Sequence, residues 1–303
     1  MSENKGRAEH RREIRGARDL TALWQALPAA VLAYPASAWP PDQGLATLSN
    51  TLRARAWREH CESATMQSCA ERGQNCERPG HCRADALFPV NLGGGAPSWR
   101  QATLFVQWRP ALNEWHLIAL GTLACASLGW AGRCLREQHG LDGAVPQPVS
   151  TLADLELAGA MRWQLTFVTP WLVDKGQPEP AAPPDTETVA HELRKAMRLR
   201  AHKLTALCFE DTRAQRLASH LAHHVAELLL ADGLQVEQAQ VASDFLELAS
   251  RGNRSSFVAL TWSGRAIVRV EPGVLPWLSL IALTGGGENA DKGFGSIELT
   301  SLD

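Results

Sequence analysis

The chain has 303 residues, 45% of them hydrophobic, which is enough for two cores of ordinary domain size and excludes a chain disordered throughout. Thirty Lys and Arg against thirty-two Asp and Glu leave a formal charge of −2, so a uniformly basic nucleic-acid binder is excluded and any basic surface has to be local. No apolar run has the length of a membrane span and no apolar stretch backs the charged N-terminus, so a cytoplasmic protein without a membrane partner is expected, its seven cysteines reduced.

Residues 1–18 carry Lys5, Arg7, Arg11, Arg12, Arg15 and Arg18 against Glu3, Glu9 and Glu13. The segment reads first as a solvated terminus, and alternatively as a basic arm that orders on phosphates. A short helix is predicted near 20–27, then one strand, Ala30 to Tyr34, inside the proline-bearing run 28–41.

Residues 45–60 have a clearer helical period. Leu45, Leu48, Leu52 and Ala56 share one face, Arg53, Trp57 and His60 line a flank, and Arg55 and Arg58 lie elsewhere on the polar surface. Next come Cys61, Cys69, Cys76 and Cys82, with His60 and His81 adjacent. Four soft ligands in a short loop suit zinc, but paired C-x-x-C knuckles are missing, so reduced thiols and no cofactor are the first expectation. A strand at 103–108, a turn near Asn113 and an apolar segment from 115 to 128 complete the first half.

Residues 140–152, with Gly140, Gly143, Pro146 and Pro148, are the expected joint between a domain at 1–150 and another at 151–303. The second opens with a strand at 161–168, ending at Thr169-Pro170. A loop with four prolines follows, in which Asp185 or Thr186 can cap a helix over 189–207. That helix keeps Val189, Leu193, Ala196, Leu204 and Leu207 inward and presents Arg194, Arg198 and His202 outward, with Lys195 beside them. A second helix after Asp211-Thr212 has Leu217, Leu221, Val225 and Leu228 as its expected seam. His220 and His224 on it read as packing or surface, since no further ligand is spaced with them.

Strands are predicted at 235–241, 257–262 and 266–270, and again at 278–283 and 296–299. Helices followed by antiparallel strands in each half argue for an α+β protein of two ferredoxin-like domains in tandem. Between the last two strands stand Gly285-Gly286-Gly287, five mostly polar residues, and Gly293-Phe294-Gly295. A hairpin turn needs one or two glycines, and surplus glycine costs backbone entropy. Either the loop is a glycine-rich hairpin and nothing more, or its backbone N–H groups lie open for an anion. A P-loop is excluded, because no Gly-Lys-Ser/Thr follows.

This closing pattern, preceded by Arg254-Ser255-Ser256, the strand Phe257 to Trp262, Gly264 at a turn and the strand Ala266 to Val270, resembles the C-terminal domain of CRISPR repeat-RNA processing endoribonucleases of the RAMP superfamily. The cysteine loop before Leu87-Phe88-Pro89 and the Thr169-Pro170 pair are similar to that family as well. The resemblance implies two ferredoxin-like (RAMP/RRM-like) domains and a glycine-rich loop. It also implies a metal-independent cut in which a 2′-OH attacks the adjacent phosphorus and leaves a 2′,3′-cyclic phosphate. His60, Arg53, Arg55 and Arg254 are the implied catalytic residues, His10 being a lesser candidate. RNA contacts are implied for Arg58, Arg194, Lys195, Arg198, His202, Arg251, Lys292 and the glycines Gly285, Gly286, Gly287, Gly293 and Gly295. Implied partners are a CRISPR repeat hairpin or guide RNA and other subunits of an effector complex.

An arginine-rich rather than histidine-centred site is similar to the type IV CRISPR branch. Arginine supplies charge to a phosphorane but not a base, because its pKa is too high. Two further readings stay open: a RAMP-type subunit that retains guide RNA without cutting it, and a two-domain α+β protein unrelated to RNA.

Overall fold

The structure, a computed structural model, describes residues 17–39, 45–62, 82–89, 102–155, 159–175, 182–209, 212–249, 256–287, 290 and 293–303. The first half runs α1 (Ala17–Gln25), β1 (Ala29–Pro35), α2 (Leu45–His60), a short α3 (Arg83–Leu87), β2 (Leu104–Arg109), β3 (Glu114–Leu120), α4 (Thr122–His139) and β4 (Val145–Gln147). The second runs β5 (Arg162–Lys175), α5 (Thr186–Leu207), α6 (Thr212–Gly233), β6 (Leu234–Ala249), β7 (Ser256–Val270), α7 (Leu275–Thr284) and β8 (Ile297–Ser301).

Each half builds a four-stranded antiparallel sheet, in the orders β2-β3-β1-β4 and β6-β7-β5-β8. In both, the first strand lies between the third and the fourth, with helices in the two crossovers. That is the ferredoxin-like β-α-β-β-α-β topology, twice over, in an α+β chain.

Local chemistry accounts for several boundaries. Asn113, at φ 54, makes the tight turn between β2 and β3, and Gly121 at φ 87 ends β3 and starts α4. The apolar run 115–128 is therefore a strand and then a helix. The Asp185 carboxylate accepts from the Thr188 amide at 2.7 Å and caps α5 as anticipated.

Four predicted elements differ. The strands expected at 257–262 and 266–270 are one strand, β7, which runs through Gly264 (φ 115, opposite Val241 of β6) without a turn. The run 278–283 is helical, not a strand, so the tail is a helix, a loop and a strand rather than a hairpin. α7 carries Pro276 in its first turn, and Trp277, Leu278, Leu280 and Ile281 are all buried; a short run buried on every side has no period to betray it. β5 does not close at Thr169-Pro170 but slips register between Phe167 and Trp171 and continues to Lys175, a bulge being where an edge-less strand tolerates proline. Part of the stretch 140–152 is β4, which pairs with β1.

The α6 seam is also corrected. Ala218, Ala222, Ala226 and Leu230 are the buried positions, whereas Leu217, Leu221 and Leu228 are exposed. Small alanines let α6 come close to its neighbour, so the residues that fit are the least hydrophobic of the candidates.

The first sheet is buried on both faces. Tyr34, Leu104, Val106 and Leu117 point to α2 and α4. Val31, Phe105, Ile118 and Leu120, on the alternate face, join Trp163, Leu165, Leu193, Met197, Trp277 and Ile281 of the second half in one continuous core. Trp24 of α1 packs edge-on against Trp277 at 5.9 Å and extends that core.

The inner face of α6 yields a test. Ala222→Leu should overpack it and cost about 1–3 kcal/mol, while Leu217→Lys should change stability by no more than about 0.5 kcal/mol. Chemical denaturation of both variants checks this, and the opposite ranking would restore the leucine seam.

Candidate functional site

On α2, Leu48, Leu52 and Ala56 are buried as expected, but Trp57 is buried too, its indole N–H donating to the Phe88 carbonyl at 3.0 Å. It belongs to a small cluster with Cys82, Ala84 and Cys61 rather than to an exposed flank. Cys69, Cys76, His81 and His10 lie outside the described residues, as do Arg251, Arg254 and Lys292. Among the described residues no group of three His, Cys, Asp or Glu is placed to hold a metal.

His60 is half-buried. Its ring lies 4.8 Å from that of Trp130, and Nε2 has no hydrogen-bond partner among the described residues. Burial, followed by the nearby Arg83 cation, holds its pKa below the ordinary histidine value, so the ring is neutral at pH 7. Arg55 pairs with Glu59 one turn on and reaches Glu137 of α4 at 3.1 Å. The Glu59 carboxyl is held below its ordinary range, first by the Trp130 indole N–H at 2.8 Å and then by Arg55. Arg58 is exposed and Arg53 half-buried.

The basic stripe on α5 is largely engaged. Arg194 pairs with Glu187 at 2.9 Å and donates to the Leu234 carbonyl at 2.8 Å, Lys195 pairs with Glu192 at 3.0 Å, and Arg198 meets Glu227 of α6 at 3.4 Å. His202 is not part of an outer stripe. It is 8% exposed because α6 packs over it, and its Nδ1 donates to the Ser219 carbonyl at 2.9 Å. Burial pushes its pKa down to about 4, with His223, Lys203 and His220 adding to the effect.

The glycine-rich loop folds onto the protein. The Gly286 amide donates to the Gly295 carbonyl at 2.9 Å, Gly293 to Ala290 at 3.1 Å, and Gly295 to Pro170 at 2.9 Å. These N–H groups hold the loop closed and are not open to an anion, which corrects the nest reading for Gly286, Gly293 and Gly295. A Cβ on Gly295, at φ +66, would lie 1.8 Å from the Gly286 carbonyl oxygen, and one on Gly286 would lie 2.1 Å from the Trp171 indole. Gly285, Gly287 and Gly293 complete the same turn, Gly293 accepting from the Thr169 hydroxyl at 3.0 Å. Close internal packing explains why the loop is so rich in glycine.

What the loop packs against was not foreseen. Gln107, fully buried on β2, donates to the Thr284 and Ala290 carbonyls at 3.2 Å each and accepts from the Ser296 hydroxyl. Arg109, two residues on and on the same face, donates to the carbonyls of Ala282 at 2.7 Å and Leu283 at 3.0 Å. Arg200 of α5 donates to the Gly285 carbonyl at 3.0 Å and lies 5.2 Å above the Phe105 ring. Burial pushes the Arg109 pKa down to about 10, so the side chain stays charged at neutral pH. The alternation Phe105, Gln107, Arg109 in an otherwise apolar strand was the available signal.

α2 touches this region near its start, where Ala46 packs with Leu172, Ala259 and Phe294. At 1.5 Å per residue His60 lies about 21 Å further along the helix, and Arg53 about 10 Å. The structure thus places Arg53 nearer the loop than His60, and sets Arg55 toward α4.

No family model matches the chain, and no curated protein matches it. Among solved structures it is similar to a Cas6 product complex, at 17% identity over 90% of this chain and 100% of that one with a TM-score of 0.43. A second Cas6 product complex is 14% identical over 91% of this chain and 99% of that one, with a TM-score of 0.46. A Cas6-related protein of Pyrococcus furiosus is 9% identical over 91% and 100%, with a TM-score of 0.40. Likeness at this level carries no argument about residues or chemistry.

Two outcomes are expected. The folded His202 pKa, about 4, lies below the unfolded value of about 6.5, so between them the unfolded chain binds the extra proton and stability falls as pH drops through that window. Melting temperature should therefore decline from pH 6.5 to 5 and decline less steeply in His202→Gln; equal slopes would contradict the burial. Gln107→Ala strands two carbonyls and a hydroxyl and should cost about 2–4 kcal/mol in urea unfolding.

Proposed function

We propose that the chain is an RNA-binding protein of the CRISPR repeat-processing kind, which grips a repeat hairpin and cuts precursor RNA to guide RNA without a metal. The observation that supports this most is the tandem ferredoxin-like sheets joined through a glycine-rich loop that leads directly into the last strand. That is the architecture implied by the sequence pattern of the tail. On this reading the domains divide as 1–150 and 151–303, the protein works in the cytoplasm, and an effector complex receives the product.

Cleavage requires a base for the 2′-OH, an acid for the leaving 5′-oxygen and cations around the phosphorane. His60, neutral at pH 7, is in the protonation state of a base. Arg53, Arg55 and Arg254 are assigned the charge-stabilising role. Arg58, Arg194, Lys195, Arg198, Arg251 and Lys292 are assigned the RNA backbone, which is how A-form stems are gripped. The glycines serve that surface by holding the loop's shape, and His202 by tying α5 to α6.

A second reading, a RAMP-type subunit that retains guide RNA uncut, is favoured by two observations. His60 stands about 21 Å along α2 from the end that meets the glycine loop, and Arg55 is held by two carboxylates.

Incubation with a repeat hairpin in EDTA, followed by end-group analysis, separates the readings. The expected products carry a 2′,3′-cyclic phosphate and a 5′-hydroxyl, and a single 2′-deoxy substitution at the cut site abolishes them. Tight binding without cleavage selects the retaining subunit; absence of binding removes both.

A further inference from the structure

α6 is apolar on two opposite sides. Its inner face packs Ala218, Ala222, Ala226 and Leu230 against its own domain. On the other side Leu217 is 72%, Leu228 66% and Leu221 38% exposed, the first two being the most exposed large apolar side chains among the described residues. With the exposed His224 they stand at intervals of four, three and four, and at 100° per residue they fall within about 60° of one another. This is the a/d repeat of a helix that pairs with another helix.

We propose that α6 is a self-association surface, on which two copies of this chain pair their α6 helices antiparallel about a twofold axis. In that register Leu228 meets Leu217 of the partner subunit and Leu221 meets His224 of the partner subunit, each contact occurring twice, as an isologous interface demands. The positions flanking the seam are complementary as well. His220 faces Glu227 of the partner subunit, again twice, and Glu227 is an exposed carboxylate whose Oε1 meets Arg198 of its own chain at 3.4 Å. Parallel pairing would instead put the two His224 rings together and leave His220 beside an aliphatic Val225. The seam spans about two heptads and contains a polar residue, so the dimer is a dissociating one whose register His224 helps to set.

The test uses the full chain. Sedimentation should show a concentration-dependent dimer, and Leu217→Glu with Leu228→Glu should raise its dissociation constant at least about tenfold. At concentrations too low for the wild type to dimerise the melting temperature should not change, because both side chains are exposed in the monomer. A crosslinking arm stands independently of that variant. Leu217→Cys combined with Leu228→Cys should give covalent dimers on mild oxidation beyond the wild-type background. Each single variant should not, since its two copies lie about 16 Å apart along the antiparallel axes, beyond the ~7 Å reach of a disulfide. A wild type that stays monomeric at every concentration, or a doubly substituted chain that fails to crosslink, overturns the proposal. Single variants that crosslink as readily as the double variant overturn the antiparallel arrangement and with it the proposed interface.

Discussion

The capture of the α7 carbonyls is the interaction on which the rest of the arrangement depends. A helix leaves its last carbonyls unpaired, and they carry the negative end of its dipole. In a buried helix they have no water to turn to. Here Arg109 takes Ala282 and Leu283, Gln107 takes Thr284, and Arg200 takes Gly285. Two of the three donors are cationic, which suits the dipole, and Gln107 and Arg109 come from the other half of the chain. Each buried carbonyl left unpaired would cost about 1–3 kcal/mol, so the two halves are fixed to one another at this point by necessity rather than by apolar contact alone.

The glycine-rich loop follows from that constraint. The chain has to leave the end of α7, pass between Trp171 and its own carbonyls, and enter β8 against β5. The space is set from both sides: Gln107 holds Ala290 and Ser296, and the Thr169 hydroxyl bridges the Gly293 carbonyl and the Ser296 amide. Side chains on Gly286 or Gly295 have nowhere to go. The bulge at Thr169-Pro170 belongs to the same device, since it turns the Pro170 carbonyl toward the Gly295 amide. Glycines that in the sequence resemble a ligand-binding loop are thus explained by chain-to-chain packing, and a function in RNA binding would act through the shape they maintain.

How far the sequence could be read depended on whether burial was one-sided. α5, α2 and β7 have one polar and one apolar side and their positions were evident, although Gly264 was read as a turn that split β7 in two, while β2, buried on both faces, was marked only by its short apolar run. α7 is enclosed on all sides and lost its period. α6 has two apolar sides, so the larger residues, Leu217, Leu221 and Leu228, were the natural choice for the core, although close helix packing took the alanines. The candidate site was less legible than the fold for a related reason. A basic residue at helical spacing looks the same whether its charge meets solvent, a carboxylate or a buried carbonyl, and only the neighbours supplied by the fold decide which.

Those neighbours sort the basic residues by the cost of offering them to a phosphate. Exposed ion pairs are worth roughly 0–1 kcal/mol, so Arg198 can exchange the exposed Glu227 carboxylate for an RNA phosphate at little loss, whereas Lys195 would leave the buried Glu192 carboxylate unpaired. Arg194 would also have to release the Leu234 carbonyl, or keep it while one remaining N–H turns outward. Arg109 and Arg200 are of another kind, because withdrawing either would strand helix-end carbonyls inside the protein. A chain with a net charge of −2 therefore has its cations in two populations, one fastening the domains and one exchangeable. On the reading proposed above, Arg198 of α5 and the exposed Arg58 of α2 are of the exchangeable kind, since turning either to an RNA backbone strands no buried group.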